Sequence, residues 1–230
     1  MKPFFLIFFA VLMSPLLCQA NGLTLGATRL IYEAGRKEAS VPLRNSVRNT
    51  PHLVQSWVSD FDSRSQDNVP FITTPPLFKL AAQGESPVRV VYIGHDRSAL
   101  PDDRESLFLL NVRAIPAVEK KNNPARMTIA TQNIIKLIYR PQGLTARDAS
   151  AAGEKVQASV NSGRVTFRNP TPYVITLTGV TVNGKKIERP GTIRPFSSRE
   201  ISQQAGQVRK VSWSIINDWG GITPPRTVSF

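Results

Sequence analysis

Segments in which apolar and polar residues alternate recur along most of this chain, separated by clusters of Pro, Gly, Asn and Asp. An alternation with a period of two residues is typical of β-strands that bury one face. Before position 141 no amphipathic helical stretch of ten or more residues interrupts this pattern. The strands predicted there are Leu23–Leu25, Ala39–Leu43, Leu53–Val58, Val88–Ile93, Leu107–Val112 and a long one at Met127–Tyr139.

A second set of strands is predicted after a seam at residues 140–144, where Pro141 and Gly143 break the pattern. Within this set, the pair Asn183-Gly184 favours a two-residue hairpin turn of the primed type. The predicted strands are Val156–Val160, Gly163–Phe167, Tyr173–Thr178, the hairpin Val180–Ile187, Val211–Ile215 and Arg226–Phe230.

The two sets of strands predict an all-β protein made of two immunoglobulin-like β-sandwich domains. About seven strands in roughly 120 residues is the size of one such sandwich, and the remaining ~90 residues are enough for a smaller one. We therefore expect the first domain at residues 21–141 and the second at residues 142–230, joined by a short linker marked by Pro141.

The first twenty residues have the order of a secretory signal, so we do not expect them in the fold. Lys2 precedes the apolar run Phe4–Met13, and the segment ends in the small residue Ala20. That run is about ten residues long, whereas a membrane-spanning helix needs roughly twenty. We favour cleavage after Ala20 over a lipoprotein signal modified at Cys18, because Leu17 stands where a small residue is required. The product is expected to be exported, without stable membrane insertion.

The composition of the exported chain excludes cysteine chemistry and limits its charged partners. Its one cysteine is Cys18, so the mature chain can form no intrachain disulfide and no cysteine-based zinc site. The net charge is +5 for residues 21–141 and +7 for residues 142–230. This charge has two interpretations: a solvated positive surface, or a surface for an acidic partner or anionic membrane. We expect no nucleic-acid partner, because the chain is exported and no aromatic ladder interleaves with its basic residues.

Enzyme signatures are absent from the sequence. It contains no Gly-x-Ser-x-Gly elbow, no P-loop and no Gly-x-Gly-x-x-Gly turn. Nothing in the sequence places His52 or His95 beside the other members of a catalytic triad. The charged run at residues 102–105 is more typical of a turn with salt bridges than of a paired-carboxylate site. We predict a protein that is not an enzyme and has no cofactor or metal.

Six segments with distinctive residue combinations follow one another along the chain. They are Thr73–Pro76, Leu100–Phe108, Asn111–Pro116, Ile135–Pro141, Asn169–Tyr173 and Ile216–Gly220. Each is a weak signal alone, but the six in this order resemble the periplasmic pilus-assembly chaperones of the PapD-like family. The resemblance covers essentially all of the mature chain.

The resemblance implies two immunoglobulin-like domains in an L-shaped or boomerang arrangement, with the working cleft between them. It also implies that the chain binds, folds and caps pilus subunits and delivers them to an outer-membrane usher. Subunits of this kind are sandwiches that lack their last strand, and their unpaired edges are aggregation templates. A chaperone that lends an edge strand supplies the missing main-chain hydrogen bonds and side chains, which is donor-strand complementation.

Arg29 and Lys136 match the two cations on the floor of the family's cleft. The resemblance implies that they anchor the carboxylate at the C-terminus of the subunit and so set the register of the lent strand. An arginine can bind a carboxylate through two parallel hydrogen bonds, and a lysine adds a second charge. From the residues alone, Arg29 would be interpreted as a surface residue of a strand and Lys136 as a strand cap.

The resemblance places the lent strand at Met127–Thr131. Alternation puts Met127, Ile129 and Thr131 on one face, where the family usually has bulky apolar residues. Thr131 departs from that pattern. Lys136 is an odd number of residues from Ile129, so it points to the other face unless a bulge or strong twist intervenes. The alternative interpretation is that Met127 and Ile129 are core residues of a closed sandwich.

Further positions match structural features of the family. Glu105, Arg140 and Asp218 match an interdomain salt bridge that would hold the two domains at a fixed angle. Thr74-Pro75 matches a cis-proline position, and cis bonds are far commoner before Pro than elsewhere. The loop from Pro116 to Arg126 is short, as in the subclass with a short loop before the lent strand (the F1–G1 loop).

The predicted function is therefore a periplasmic chaperone for fimbrium biogenesis that needs no cofactor. Its expected partners are pilus subunits and an usher, and self-capping of the free protein in a homodimer is left open. Two rival functions are a pilus structural or adhesin subunit and a periplasmic β-sandwich ligand-binding module. Pilus subunits usually have one incomplete sandwich, so two complete domains argue against the first rival. Saturable binding of a small molecule would favour the second.

Overall fold

The structure, a computed structural model, describes residues 22–94, 100–117, 127–201 and 207–230. The expected signal segment at residues 1–20, His95 and most of the loop from Pro116 to Arg126 lie outside the described residues. The regular secondary structure of the described chain is nearly all β, with one short helix at Ala146–Ala152 (α1) and a turn of 3-10 helix at Gly153–Lys155. The predicted all-β class is confirmed. None of the helices in these four ranges is long and apolar enough to cross a membrane.

The first half of the chain forms two sheets that pack face to face. The strands are β1 (Leu23–Leu25), β2 (Arg29–Glu33), β3 (Ala39–Asn45), β4 (His52–Asp60), β5 (Phe71–Thr74), β6 (Leu77–Leu80), β7 (Glu85–Tyr92), β8 (Ser106–Pro116) and β9 (Thr131–Arg140). Sheet 1 has the strand order β1-β3-β7-β5, and sheet 2 has the order β2-β9-β8-β4-β6. Strands β2 and β9 pair in parallel, whereas the other pairs are antiparallel.

The inner faces of sheets 1 and 2 enclose one hydrophobic core. In strands such as β3, alternate residues are buried, as a strand with one buried face requires. Fully buried members from the two sheets include Leu43, Val88, Leu110 and Leu137. This alternation determines which side chains of β2 and β9 point away from the core.

The second half of the chain forms a smaller pair of sheets around a second core. The strands are β10 (Gln157–Asn161), β11 (Arg164–Arg168), β12 (Ile175–Val182), β13 (Lys185–Lys186), β14 (Thr192–Ile193), β15 (Ser198–Ile201), β16 (Lys210–Ile216) and β17 (Arg226–Ser229). Sheet 3 has the order β10-β11-β15, and sheet 4 has β13-β12-β16-β17, with β14 also paired to β12. Trp213 and Phe167 lie at the centre of this core, with an edge-to-face contact of 5.2 Å between ring centroids.

Two local features of the second half differ from the sequence prediction. The segments Tyr173–Thr178 and Val180–Ile187 were expected as separate strands, but β12 is continuous through Gly179, where the register shifts in a bulge. Gly179 has a φ of 58°, a conformation that glycine adopts readily. The helix α1 was not predicted because it has only seven residues, too few for a helical period to stand out. Its sequence signal is the cap, in which Thr145 Oγ1 accepts a hydrogen bond from the N–H of Asp148.

The strand expected at Met127–Tyr139 is shorter in the structure. Strand β9 begins at Thr131, and residues 127–130 precede it outside any strand. The predicted hairpin at Asn183-Gly184 is confirmed, with φ values of 51° and 82° and with Val182 paired to Lys185. The boundary predicted between residues 141 and 142 falls between β9 and α1 and stays a prediction.

Candidate functional site

Arg29 and Lys136 are direct neighbours in the parallel pair of β2 and β9. The core residues of β2 are Leu30 and Tyr32, and the fully buried core residue of β9 is Leu137. Alternation therefore sends Arg29 and Lys136 to the outer face of sheet 2, away from the first core. Because residues in register present their side chains to the same face, the two cations lie side by side.

Arg29 is nearly enclosed, with 7% of its surface exposed. One guanidinium nitrogen, Nη1, donates a hydrogen bond of 3.0 Å to the carbonyl oxygen of Ile216, which belongs to the second half of the chain. Its Nε is buried and has no acceptor among the described residues. The interpretation of Arg29 as a surface strand residue is wrong. Lys136 lies inside β9, so the interpretation as a strand cap is also wrong.

Burial disfavours the charged forms of both Arg29 and Lys136. Burial, and to a lesser extent the charge of Arg29, lowers the pKa of Lys136 to about 8. Burial also lowers the pKa of Arg29, although the charges of Asp218 and Glu105 oppose this. In the described part of the chain neither cation forms an ion pair. A bound anion would reduce their repulsion and supply the acceptor that Arg29 Nε lacks.

The cation pair lies where one edge of β9 becomes open. Strand β2 covers this edge only from Lys136 to Arg140, whereas β8 covers the other edge along Thr131–Tyr139. Within the described residues no strand pairs with Thr131–Ile135 on the β2 side. The edge opens because the chain before Arg29 crosses over to sheet 1, where β1 pairs with β3. An extended chain can add to this open edge.

Of the three residues expected to be lent, only Thr131 lies in β9. The register between β8 and β9 runs from Thr131 to Tyr139 without a shift, so no bulge separates Thr131 from Lys136. Thr131 therefore points to the side of the sheet that carries the first core, opposite to Lys136. Met127 and Ile129 are 88% and 65% exposed, so the alternative that they are core residues of a closed sandwich is wrong.

Glu105, Arg140 and Asp218 meet between the two halves of the chain. Arg140 Nε donates to Glu105 Oε1 at 2.7 Å, and its Nη1 donates to Asp218 Oδ2 at 2.8 Å. The second oxygen of Glu105 accepts a 2.7 Å hydrogen bond from the N–H of Val174. Burial raises the pKa of Glu105, although Arg140 and the N–H of Val174 oppose this. The network links the residue before β8, the end of β9 and the second half of the chain.

The Thr74–Pro75 peptide bond is cis and lies between β5 and β6, on the first sandwich. The carbonyl oxygen of Pro75 accepts a 3.1 Å hydrogen bond from Ser56 Oγ. This position joins strands of the two sheets and does not contact Arg29 or Lys136 through any described hydrogen bond.

Sequence reasoning missed the groups of the second sandwich that complete the site. The carbonyl oxygen of Ile216 and the N–H of Val174 are main-chain groups, and main-chain groups carry no residue-type signal. The motif Ile216–Gly220 was the available pointer, because it contains Asp218. No cluster of His, Cys, Asp or Glu that could hold a metal occurs in the described ranges.

Comparison with known protein families finds two matching profiles. Residues 22–145 match the profile described as pili and flagellar-assembly chaperone, PapD N-terminal domain. Residues 151–227 match the profile described as pili assembly chaperone PapD, C-terminal domain.

Proteins of similar sequence and structure are named as chaperones. The chain is 40% identical over 205 residues to the probable fimbrial chaperone protein ElfD of Escherichia coli, covering 89% of this chain and 85% of the relative. It is 35% identical over 207 residues to the chaperone protein FimC of Escherichia coli, covering 90% and 83%. A chain in the Salmonella enterica complex of SafA pilin with the SafB chaperone superposes with a TM-score of 0.80 at 32% identity, covering 92% and 98%. The Escherichia coli chaperone DraB superposes with a TM-score of 0.78 at 35% identity, covering 92% and 100%.

Proposed function

The chain belongs to the PapD-like family of pilus-assembly chaperones, and from this premise we propose that it captures a subunit by lending the start of β9 and anchoring the subunit's carboxylate on Arg29 and Lys136. It is a non-enzymatic periplasmic chaperone for pilus subunits. The rival functions of pilus subunit and ligand-binding module are thereby set aside.

One observation carries the proposed mechanism: the paired cations Arg29 and Lys136 stand at the inner end of an open strand edge. A strand that continues the line of β2 along this edge runs parallel to β9. Its last residue then meets Arg29, where β2 begins. The subunit's terminal carboxylate is the anion that this position accepts, because only the last residue of a strand has a main-chain carboxylate.

The two faces of β9 have different proposed roles: one fills the groove of the subunit, and the other binds its carboxylate. Thr131 points to the core side of sheet 2, and a chain that stays extended places Ile129 and Met127 on the same side. Their exposed side chains would enter the apolar groove of the subunit, so that the subunit continues the core of the first sandwich. Lys136 faces the opposite side, where it holds the carboxylate with Arg29. Lys136 is an odd number of residues from Ile129, so their side chains point to opposite faces of the strand, as these two roles require.

Co-expression in the periplasm tests the proposed function. The full chain is produced with each pilin subunit encoded beside it, and size exclusion detects a one-to-one complex. Lys136→Ala should abolish the complex, whereas Lys79→Ala, a matched change of an exposed lysine on β6, should leave it intact. A complex that survives Lys136→Ala would contradict the carboxylate anchor. A wild-type chain that captures no subunit would contradict the mechanism as a whole.

The same proposal includes signal cleavage, delivery to an usher and self-association of the free chain. The family implies an exported protein, and we place signal cleavage after Ala20, which N-terminal sequencing of the periplasmic chain checks. Delivery to an usher is checked by transfer of the captured subunit from the purified complex to usher-containing membranes. The open edge at Thr131–Ile135 is also able to pair with a second copy, so the free chain is expected to form a self-capping dimer that a subunit dissociates.

A further inference from the structure

Trp219 presents its indole ring to solvent from a tightly bonded turn. The side chain is 90% exposed. The turn at residues 217–221 is held by Asn217, whose Oδ1 accepts hydrogen bonds from the N–H groups of Trp219 at 3.1 Å and Gly221 at 2.8 Å. The N–H of Asn217 in turn donates to the carbonyl oxygen of Gly221 at 2.9 Å. Trp219 is thus exposed on a defined backbone.

The same turn is held at three points against the strands that carry the two cations and the residue before β2. The carbonyl oxygen of Ile216, just before the turn, accepts a hydrogen bond from Arg29. Asp218 within the turn binds Arg140. A Cβ atom on Gly220 would lie 2.7 Å from Thr28 Oγ1, and Gly220 has a φ of 83°, so only glycine allows this approach to the residue before Arg29. Trp219 lies between Asp218 and Gly220 in the chain, so its backbone is held close to the strand that carries Arg29.

Ile222 extends the apolar surface of this turn. It is 69% exposed, and its backbone forms a bridge with Ile216. We call Trp219 and Ile222 the apolar lip. An exposed tryptophan on a rigid backbone offers a large contact area at a low cost in conformational entropy, which is why such residues often dominate binding energies.

We propose that the apolar lip binds the side chains next to the C-terminus of the captured subunit, and that Trp219 favours subunits with aromatic or aliphatic residues there. This inference rests on the proposed function. Once the carboxylate is fixed between Arg29 and Lys136, each preceding residue lies about 3.3 Å further along the strand. The last residues of the subunit are therefore the part that reaches the lip. The lip itself adds no charge, so its contribution depends on side-chain size and apolarity.

The test measures affinity for the pilin subunit that co-purifies with the wild-type chain. Trp219→Ala should weaken this affinity about tenfold, as is common for a central interface aromatic. Trp219→Phe keeps an aromatic ring and should retain most of the affinity. The matched control is Phe230→Ala, because Phe230 is a 50% exposed aromatic whose N–H binds the carbonyl oxygen of Arg209, at the opposite end of β16 from the lip. It should leave affinity unchanged.

Fluorescence gives an independent readout of contact. Complex formation should shift tryptophan emission to the blue in the wild type, because the exposed indole of Trp219 becomes buried. The shift should be absent in Trp219→Phe. Replacing the apolar residue nearest the subunit's C-terminus by Ala should cost affinity in the wild type but much less in Trp219→Ala, since coupled residues give non-additive effects.

The outcomes separate the lip from the anchor. A complex that is lost in Lys136→Ala but unchanged in Trp219→Ala, without an emission shift, would overturn the lip and leave the proposed function standing. An unchanged affinity together with lost self-association would show that a second copy occupies the lip, which also overturns the inference. If the wild-type chain captures no subunit, the proposed function fails and the lip fails with it.

Discussion

Arg29 of β2 and Lys136 of β9 are register partners in a parallel strand pair, so two cations stand side by side on the outer face of one sheet. Burial lowers the pKa of both groups, and each charge repels the other. A fold selected for stability alone would place a carboxylate between them. The arrangement is instead suited to an anion brought by a partner, and its consequences can be measured.

Arg29→Ala should abolish subunit capture while the chain stays folded. The change removes one of the two groups proposed to hold the carboxylate, together with the hydrogen bond to the carbonyl oxygen of Ile216. Co-purification and circular dichroism measure capture and folding. Arg36→Ala is the control, because Arg36 is an exposed arginine just beyond β2. Normal capture by folded Arg29→Ala would remove Arg29 from the mechanism.

Subunit affinity should fall as the pH rises above 8. The pKa of Lys136 in the free chain is about 8, and an adjacent carboxylate raises it. Binding then requires proton uptake, so affinity falls by up to about tenfold per pH unit until the pKa of the bound state is reached. Dissociation constants between pH 7 and 10 measure this. Lys136→Arg should flatten the profile, because arginine stays charged; an equally flat wild-type profile would contradict the role of Lys136.

The same pKa shift has an opposite effect on the free chain. Between about pH 8 and 10.5 the unfolded chain holds the Lys136 proton and the folded chain does not, so this group's contribution to stability rises with pH. Below pH 8 Lys136 stays charged in the folded chain, so its desolvation lowers the free energy of unfolding by the full amount. Lys136→Met should therefore raise the free energy of unfolding at pH 7 by roughly 1 kcal/mol, after allowance for solvent screening. Chemical denaturation provides the comparison.

Ile129→Asp should weaken the complex without destabilising the free chain. Ile129 is 65% exposed, so an aspartate there stays solvated in the free protein. In the complex the charge would enter an apolar groove without a partner, which is strongly unfavourable. Ser159→Asp, on strand β10 of the second sandwich, is the control. Equal affinities for the wild type and Ile129→Asp would mean that Ile129 does not face the subunit.

Thr131→Val should strengthen capture. Thr131 points to the same side of β9 as the residues proposed to fill the groove, but it brings a hydroxyl where an apolar group fits. Valine has nearly the same shape, and its extra apolar surface is worth on the order of 1 kcal/mol when buried, a gain of about fivefold in affinity. Thr166→Val on β11 serves as the matched control. A weaker complex would show that the hydroxyl has a partner in the subunit.

Arg140→Met should destabilise the fold by about 3–5 kcal/mol, the cost of leaving a buried charge without its partner. The stranded group is Glu105, which is 4% exposed. Asp218→Asn should cost less, because the side chain of Asp218 is 20% exposed. Equilibrium unfolding in urea compares the two variants. A loss below 1 kcal/mol for Arg140→Met would show that the network is replaceable.

Much of the fold could be predicted from local pattern. The alternation in segments such as Leu53–Val58 identifies strands because burial of one face is encoded in neighbouring residues. Strand ends were less well predicted: β9 begins at Thr131 because only there does the ladder with β8 begin, and the residues before it continue the same alternation. The bulge at Gly179 was mistaken for a break because a glycine in a strand and a glycine in a turn look alike in sequence.

The all-β class, the two sets of strands and, through the motifs, the family of the chain can be read from residue type and spacing, because these are local properties. The tertiary structure was needed to establish that Arg29 lies beside Lys136, that both face away from the core, and that the turn bearing Trp219 packs next to Arg29. Those relationships depend on the parallel pairing of β2 with β9 and on contacts between the two halves of the chain. Such pairings join distant segments, and their free energy depends on how whole sheets pack.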